Sequence, residues 1–275
     1  MFNRPIKQWT HPTQFPLLQN NDVHIWRIVL PESIEHHQRM TTVLTNDERQ
    51  RFASVRNVTM QATMVTTRSV LRTLLSRYLA VMRGQEMTAV MVPLTTNRYG
   101  KPILMPNDGQ QEVMFNVTHT QHMALIAVTA TGNVGIDCEY LPKLEQYEQV
   151  ARRFFSHNEQ RMLRDLPLHQ RQLAFMKGWT RKEAYLKARG MGMSLDMQQF
   201  DVSLHPQVTT QTVHSREQGQ AQDTWMVADI SVGSEYCAAV AVNGGGRTLR
   251  CWEWVDDVLV SQKRCSVPSH STYNK

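Results

Sequence analysis

The order of apolar and polar positions predicts a chain of mixed strands and helices. Short runs rich in β-branched residues predict strands, and apolar stripes at helical spacing predict helices. In the first part of the chain, strands are predicted at residues 23–30, 90–94, 113–117 and 123–129. A short helix is predicted at residues 31–40, and a long helical stretch from Thr45 to Met82 is expected to break near residues 56–59.

The second part of the chain repeats this mixture. Helices are predicted at residues 145–154, 156–165 and 168–189, and Gly190 is expected to end the last of them. Strands are predicted at residues 134–139, 199–204, 224–232, 236–242 and 247–255. The polar, Gln-rich residues 206–222 predict a surface loop.

This order of elements predicts an α+β fold of two pseudo-symmetric halves. Each half is expected to be a small, mostly antiparallel sheet with a packed helix. We expect the joint near Thr131, with the halves at residues 1–132 and 133–258 and a flexible tail at residues 259–275.

Composition and charge narrow the class of protein. The longest apolar runs are far shorter than the roughly 18–20 residues that span a bilayer, and the N-terminal residues lack the apolar core of a secretory signal. Four cysteines without a Cys-x-x-Cys pair suit a cytoplasmic protein. The formal net charge is +6. The segment from Asp47 to Arg83 accounts for +5 of it, because it contains seven arginines and two acidic residues. This local excess indicates an anionic partner.

Two acidic residues share one face of the strand predicted at residues 134–139. Because side chains alternate along a strand, Asp137 and Glu139 lie beside Gly135, opposite the apolar residues. Paired carboxylates could hold a hard divalent cation such as Mg²⁺. The alternative is an ordinary solvated strand face.

Three further sites carry residues that suit phosphate or metal binding. Glu183 and Lys187 are neighbours on one helix face, which fits either a third carboxylate for the metal beside a cation directed at a phosphate, or a surface ion pair. Lys101 lies in a tight turn that fits a ligand contact or a plain hairpin. Thr118 and His119 come at a strand end, where both could donate to a phosphate, although His119 could equally be structural.

The order of these motifs resembles that of the 4′-phosphopantetheinyl transferases of the surfactin-synthetase-activating (Sfp) type. The motifs that carry the resemblance are Glu48-Arg-Gln-Arg51, Tyr99-Gly-Lys-Pro102, Phe115-Asn-Val-Thr-His119, Gly135-Ile-Asp-Cys-Glu139, Arg153-Phe-Phe-Ser-His-Asn-Glu159 and Trp179-Thr-Arg-Lys-Glu-Ala-Tyr-Leu-Lys187. The resemblance implies two pseudo-symmetric halves with coenzyme A in the cleft between them. It implies transfer of the phosphopantetheine group from coenzyme A to a serine of an acyl or peptidyl carrier protein, with release of adenosine 3′,5′-bisphosphate.

The resemblance also implies roles for individual residues. The implied Mg²⁺ ligands are Asp137, Glu139 and Glu183. The implied contacts to the coenzyme A phosphates are Lys187 and His119, and those to its adenosine and 3′-phosphate end are Lys101, Thr118, Arg49 and Arg51. Glu183 and Lys187 are the implied catalytic residues, with Glu183 a candidate base for the carrier serine.

Two positions depart from the family pattern. Glu48 stands where a second Lys is common, so contacts to the 3′-phosphate are expected to shift to Arg49, Arg51 or Arg68. Thr118 replaces a frequent Ser and keeps the hydroxyl.

Two other classes of protein fit parts of the sequence. A nucleic-acid-binding protein could use the arginine-rich helix, and a metal-dependent nuclease or phosphatase could use the three carboxylates. The combination of motifs favours the transferase, so we expect a monomer without a nucleic-acid or membrane partner. The basic segment is then expected to dock the 3′-phosphate or an acidic carrier domain.

Overall fold

The computed structural model describes residues 9–30, 40–106, 113–141, 146–216 and 224–255. Its helices are α1 (Asn46–Ala53), α2 (Val58–Arg83), α3 (Tyr147–Phe154), α4 (His157–Asp165) and α5 (Leu168–Arg189). Its strands are β1 (Asp22–Val29), β2 (Leu94–Thr96), β3 (Pro102–Leu104), β4 (Met114–Thr120), β5 (Met123–Thr129), β6 (Val134–Tyr140), β7 (Thr210–Val213), β8 (Trp225–Asp229), β9 (Tyr236–Asn243) and β10 (Thr248–Glu253). Short 3₁₀ helices lie at Thr41–Val43, Ala89–Met91, Gly192–Ser194 and Met197–Gln199.

The described strands form two four-stranded sheets and one two-stranded hairpin. The first sheet has the order β10-β1-β5-β4, the second has the order β6-β9-β8-β7, and β2 pairs with β3. All pairs are antiparallel except β1 with β10. The predicted α+β class, with small, mostly antiparallel sheets, is therefore confirmed.

Each large sheet lies between a helix and the other sheet. On β1, Ile25 belongs to an apolar cluster shared by both sheets, whereas its neighbour Trp26 packs with residues of α2. On β9, Val240 belongs to the shared cluster, whereas Ala239 packs with residues of α5. The layers therefore run α2, first sheet, second sheet, α5. Strands buried on both faces explain the unbroken apolar runs of β5 and β9.

Both long helices end where a glycine adopts a left-handed backbone. Gly84 follows α2 with a φ of 63°, and Gly190 follows α5 with a φ of 64°. Residues with a side chain rarely adopt this conformation, so the glycines fix both ends. The break predicted between the first two helices is present, because α1 ends at Ala53 and Asn57 caps the start of α2 through a bond to Met60 N.

Two predicted strands are wrong, and in both cases side chains occupy the backbone groups. Residues 90–94 form a 3₁₀ turn and only the start of β2, because the guanidinium of Arg72 binds three of the carbonyls around this turn. Residues 199–204 form no strand, since Val202 N donates to Glu159 and Ser203 N donates to a glutamine side chain. A strand, β7, instead begins at Thr210, inside the predicted loop 206–222.

The last strand, β10, joins the first sheet rather than the second. Residues 247–255 were expected to join the second sheet, but β10 pairs in parallel with β1 of the first sheet, in the register Asp22 to Thr248. The position of a strand along the chain therefore does not predict which of the two sheets it joins. The predictions for residues 31–39 and 259–275 fall outside the described residues. Among the described helices, none is long and apolar enough to cross a membrane.

Candidate active site

The candidate site lies where β6 of the second sheet passes β4 of the first and packs against α5. Gly135 makes this approach possible, because a Cβ there would lie 2.1 Å from the carbonyl oxygen of Ala184 and 2.2 Å from the amide nitrogen of Ala188. Backbone atoms cannot yield to such contacts. The glycine therefore allows the side chains that follow it on β6 to reach residues of α5.

Three side chains from three elements meet at this place. Lys187 Nζ lies 2.6 Å from Asp137 Oδ1 and 3.2 Å from Thr118 Oγ1. The Thr118 hydroxyl also lies 3.4 Å from the same carboxylate oxygen. Asp137 and Thr118 are buried, and Asp137 Oδ2 is a buried oxygen without a hydrogen-bond partner. Burial raises the pKa of Asp137 although the neighbouring Lys187 ammonium acts in the opposite direction.

Two more carboxyl groups face the same region. Burial, and then the charge of Asp137, raise the pKa of Glu139, while a hydrogen bond from Trp179 lowers it. Burial raises the pKa of Glu183 to about 7, with Asp137 and Glu139 adding to the rise and Lys187 opposing it. Asp137 therefore lies close enough to disfavour ionisation of both glutamates, and Glu139 close enough to disfavour that of Glu183.

The donor set suits a hard cation. It consists of carboxylate oxygens, one of which is buried without a partner, and their mutual repulsion would be relieved by a positive charge. In the described part of the chain, however, no three acidic, His or Cys side chains converge as a ready-made metal site. The cation beside Asp137 in this arrangement is the Lys187 ammonium.

The Tyr99-Gly-Lys-Pro102 turn carries Lys101 into the joint between the halves. Lys101 Nζ donates to the carbonyl of Lys187 at 2.6 Å and to that of Val134 at 3.0 Å. Burial lowers the pKa of Lys101 to about 8. The lysine lines a cavity of about 180 Å³ together with Phe115 and Arg189. His119 is exposed on β4, and partial desolvation and the charge of Lys187 lower its pKa.

The arginine-rich segment is divided between structure and surface. Glu48 accepts from Arg68 at 2.9 Å and from Arg72 at 2.7 Å, and Arg72 is buried. Burial acts to raise the pKa of Glu48, but the hydrogen bonds from Arg72 and Thr45 and the charge of Arg68 hold it below its usual range. The expectation that one docking surface contains the whole positive excess is therefore wrong for Arg68 and Arg72, which serve the fold.

The other candidate arginines lie on the exposed surface of α1. Arg49 donates to the Thr41 carbonyl and to Asn46, and Arg51 is exposed in the last turn. Within the described ranges, neither of them forms an ion pair with the carboxylates near Lys187.

Three residues of the recognised motifs have roles that spacing did not reveal. Lys182 adjoins Glu183 in sequence, but it is fully buried and bonded to Glu159 at 2.7 Å. Asn116 accepts a hydrogen bond from the Ile136 amide, and Trp179 bonds to Glu139. Helical geometry provides one signal for Lys182, because adjacent residues on a helix point in directions about 100° apart.

Comparison with known proteins identifies the class first. Residues 133–241, which run from β6 into β9, match the family model of the 4′-phosphopantetheinyl transferase superfamily. The matched segment contains Asp137, Glu139, Glu183 and Lys187.

Whole-chain similarity then identifies the family. The chain is 33% identical over 237 residues to the 4′-phosphopantetheinyl transferase HetI of Nostoc sp., with 86% of this chain and 94% of that protein covered. It is 28% identical over 137 residues to the 4′-phosphopantetheinyl transferase Sfp of Bacillus subtilis, covering 49% and 58% of the two chains. It is 24% identical over 157 residues to the human L-aminoadipate-semialdehyde dehydrogenase-phosphopantetheinyl transferase, covering 52% and 50%. The chain belongs to the 4′-phosphopantetheinyl transferase family and is an enzyme of that family.

Proposed function

We propose that this enzyme transfers 4′-phosphopantetheine from coenzyme A to a serine hydroxyl of an apo acyl or peptidyl carrier protein. The transfer depends on Mg²⁺ and releases adenosine 3′,5′-bisphosphate. The observation that carries the proposal is the group of Asp137, Glu139 and Glu183 carboxyls beside the Lys187 ammonium. Phosphoryl transfer requires charge neutralisation and positioning more than covalent catalysis, and this group supplies residues for both.

Asp137, Glu139 and Glu183 would hold the Mg²⁺. The unpartnered Oδ2 of Asp137 and the raised pKa values of its neighbours support this assignment. When bound, the ion would neutralise charge on the pyrophosphate of coenzyme A.

Lys187 and the end of β4 would bind the phosphates. The Lys187 ammonium already bonds to Thr118, so a phosphate placed beside them could accept from both groups. His119, whose lowered pKa favours the neutral ring, would add a further donor through its ring N–H. Lys101 and the cavity that it lines would receive the adenosine and 3′-phosphate end, with Arg49 and Arg51 contributing positive charge from α1.

Glu183 is the candidate general base for the carrier serine, directly or through water. Without a cation, burial and the neighbouring carboxyls raise the pKa of Glu183 to about 7. A bound Mg²⁺ would lower this pKa by favouring the ionised carboxylate, which is the form that can accept a proton. Lys187, four residues along the same helix, would stabilise the negative charge of the phosphoryl group during transfer.

Mass spectrometry of apo carrier proteins tests the proposal. A panel of fatty-acid, polyketide and nonribosomal-peptide carriers is incubated with coenzyme A and Mg²⁺, and one or more should gain the mass of one phosphopantetheine group. The matched reactions omit Mg²⁺ or replace the carrier serine by alanine, and neither should show the gain. Release of nucleotide or phosphate without a modified carrier would instead indicate a hydrolase. We place the reaction in the cytoplasm and expect a monomeric enzyme.

A further inference from the structure

Side chains of the first half bind the outer edge of β6. Among the described strands, β6 is the last of its sheet, so its backbone groups on one side have no strand partner within that sheet. Lys101 binds the carbonyl of Val134, and Asn116 Oδ1 accepts from Ile136 N at 2.8 Å. The two sheets are thus connected here by side chains in place of a backbone ladder.

Asn116 of β4 contacts β6 next to the residues of the candidate site. It is 6% exposed, and it precedes Thr118 by two residues on β4, so their side chains share one face. Its partner Ile136 directly precedes Asp137 on β6. The amide-to-Asn116 bond therefore fixes the register of β6 against β4 beside the place where Thr118 and Asp137 meet.

We propose that Asn116 is a positioning residue for the transferase reaction, which holds the Asp137 carboxylate in register with Thr118 and Lys187. The role requires an acceptor, because the Ile136 N–H would otherwise be buried without a partner. Outer residues that orient the ligands of a metal typically change metal affinity or activity by about 10- to 100-fold when they are replaced. The activity part of this inference rests on the proposed function.

Three variants separate positioning from general destabilisation. Asn116→Leu removes the acceptor at similar volume, Asn116→Asp retains it, and Val128→Ala opens a cavity in the same half, in the cluster packed with α2. We expect Asn116→Leu to lower kcat/KM by about 10- to 100-fold and to raise the Mg²⁺ concentration for half-maximal rate. Asn116→Asp retains the acceptor but buries an additional carboxyl group, so it should recover part of the loss. Val128→Ala should keep the wild-type Mg²⁺ dependence. If Asn116→Leu does not fold, Asn116→Gln, which displaces the same acceptor by one methylene, takes its place.

Hydrogen exchange of the Ile136 amide, followed by NMR without substrate, gives a readout that does not depend on activity. The amide should be protected in the wild type and in Asn116→Asp, and it should exchange faster in Asn116→Leu. Unchanged exchange together with unchanged Mg²⁺ dependence in Asn116→Leu would overturn the inference. A wild-type enzyme that modifies no carrier would contradict the proposed function instead. Calorimetric titration with Mg²⁺ would then decide the positioning role, since weaker binding by Asn116→Leu supports it and equal binding refutes it.

Discussion

The two halves tie a short helix to a long helix in the same way. In the first half, Glu48 closes the capping box of α1 and accepts a hydrogen bond from Arg72 of α2. In the second half, Glu159 closes the capping box of α4 and accepts a hydrogen bond from Lys182 of α5. The paired residues are 24 positions apart in the first half and 23 in the second. The two halves therefore use similar ion pairs to join a short helix to a long one.

The halves differ in the residues that follow these basic side chains. One position later, α5 has Glu183 at the carboxyl cluster, whereas α2 has Thr73, whose hydroxyl donates to a backbone carbonyl of its own helix. Five positions later, α5 has Lys187 beside the carboxylates, whereas α2 has Arg77, which lies over aromatic rings. Similar packing therefore does not duplicate the candidate site, because at the positions compared α5 has Glu183 and Lys187 where α2 has Thr73 and Arg77.

The largest expected effect is the loss of activity on replacing an α5 or β6 carboxylate. Glu183→Gln should lower kcat/KM by on the order of 10³-fold, the scale seen when a preorganised group that stabilises charge is removed. The Asp137→Ala variant should lose Mg²⁺-dependent transfer to a similar extent. Both proteins should retain the wild-type fold by circular dichroism. Glu183→Gln removes a group that the neighbouring carboxylates repel, and Asp137→Ala leaves the Lys187 side chain, which is 30% exposed, in contact with solvent. The rate of carrier modification measures the effect.

A matched control makes this test specific. Glu148→Gln removes an exposed carboxylate of α3 and should leave the rate unchanged. Near wild-type activity of Glu183→Gln or Asp137→Ala would remove that residue from the proposed site.

The next effect concerns stability and compares the two equivalent ion pairs. Glu159 and Lys182 have side chains that are 0% exposed, whereas Glu48 is 12% exposed and has Arg68 as a second partner. Leaving a fully buried charge without its partner costs about 3–5 kcal/mol, so Glu159→Gln should lower the free energy of unfolding by that amount. Glu48→Gln should lower the free energy of unfolding by about 1–3 kcal/mol. The loss is smaller because Arg72 keeps its bonds to backbone carbonyls and Arg68 is partly exposed to solvent. Urea denaturation measures both, and equal losses would contradict the comparison.

Local sequence determined most of the elements of both halves. The predicted helix 168–189 is observed at Leu168–Arg189, since its apolar stripe and its terminal glycine are features of the local sequence. The parallel pairing of β10 with β1 joins Thr248 to Asp22, and no local pattern encodes that choice. Tertiary contacts also account for two predicted strands that are absent, because buried side chains bind backbone groups of those segments.

The candidate site was predictable in part. Spacing places Glu183 and Lys187 on one helix face, and alternation places Asp137 beside Gly135. The contact of Lys187 with Asp137 crosses 50 positions of the chain and follows from the close packing that Gly135 allows. A count of charges could not show that Arg72 is buried against carbonyls rather than exposed to a ligand.

A smaller expected effect is the loss of stability at acid pH that His24, a residue of the first half, causes. His24 is fully buried, bonds to Tyr78, and faces the charges of Asp22 and Arg250. Burial lowers its pKa to about 4 from the ordinary histidine value of 6.5, although Asp22 acts to raise it. The unfolded chain therefore binds a proton at higher pH than the folded protein. The contribution of His24 to the free energy of unfolding is fully present above a pH of about 6.5. It is lost progressively as the pH falls towards about 4.

The loss between pH 7.5 and pH 5 should be about 2 kcal/mol from this residue alone. Urea denaturation at the two pH values measures it. His24→Gln keeps a polar group near Tyr78 and should reduce the difference between the two pH values by that amount. An equal pH dependence in the variant and the wild type would show that His24 is not the acid-sensitive group.

The smallest expected effect tests whether α1 of the first half contributes to binding coenzyme A rather than to the transfer step. Arg49 and Arg51 are exposed on α1, so the double alanine variant should change stability by no more than about 0.5 kcal/mol. If the two arginines contact the 3′-phosphate of coenzyme A, the variant should raise KM for coenzyme A by about two- to fivefold per residue, the range of exposed ion pairs, and leave kcat unchanged. Dephospho-coenzyme A lacks that phosphate, so the wild type and the variant should use it with the same KM. A fall in kcat, or an equal effect of the variant on both substrates, would mean that α1 acts on the reaction by another route. In that case the division between a binding half and a catalytic half would not hold.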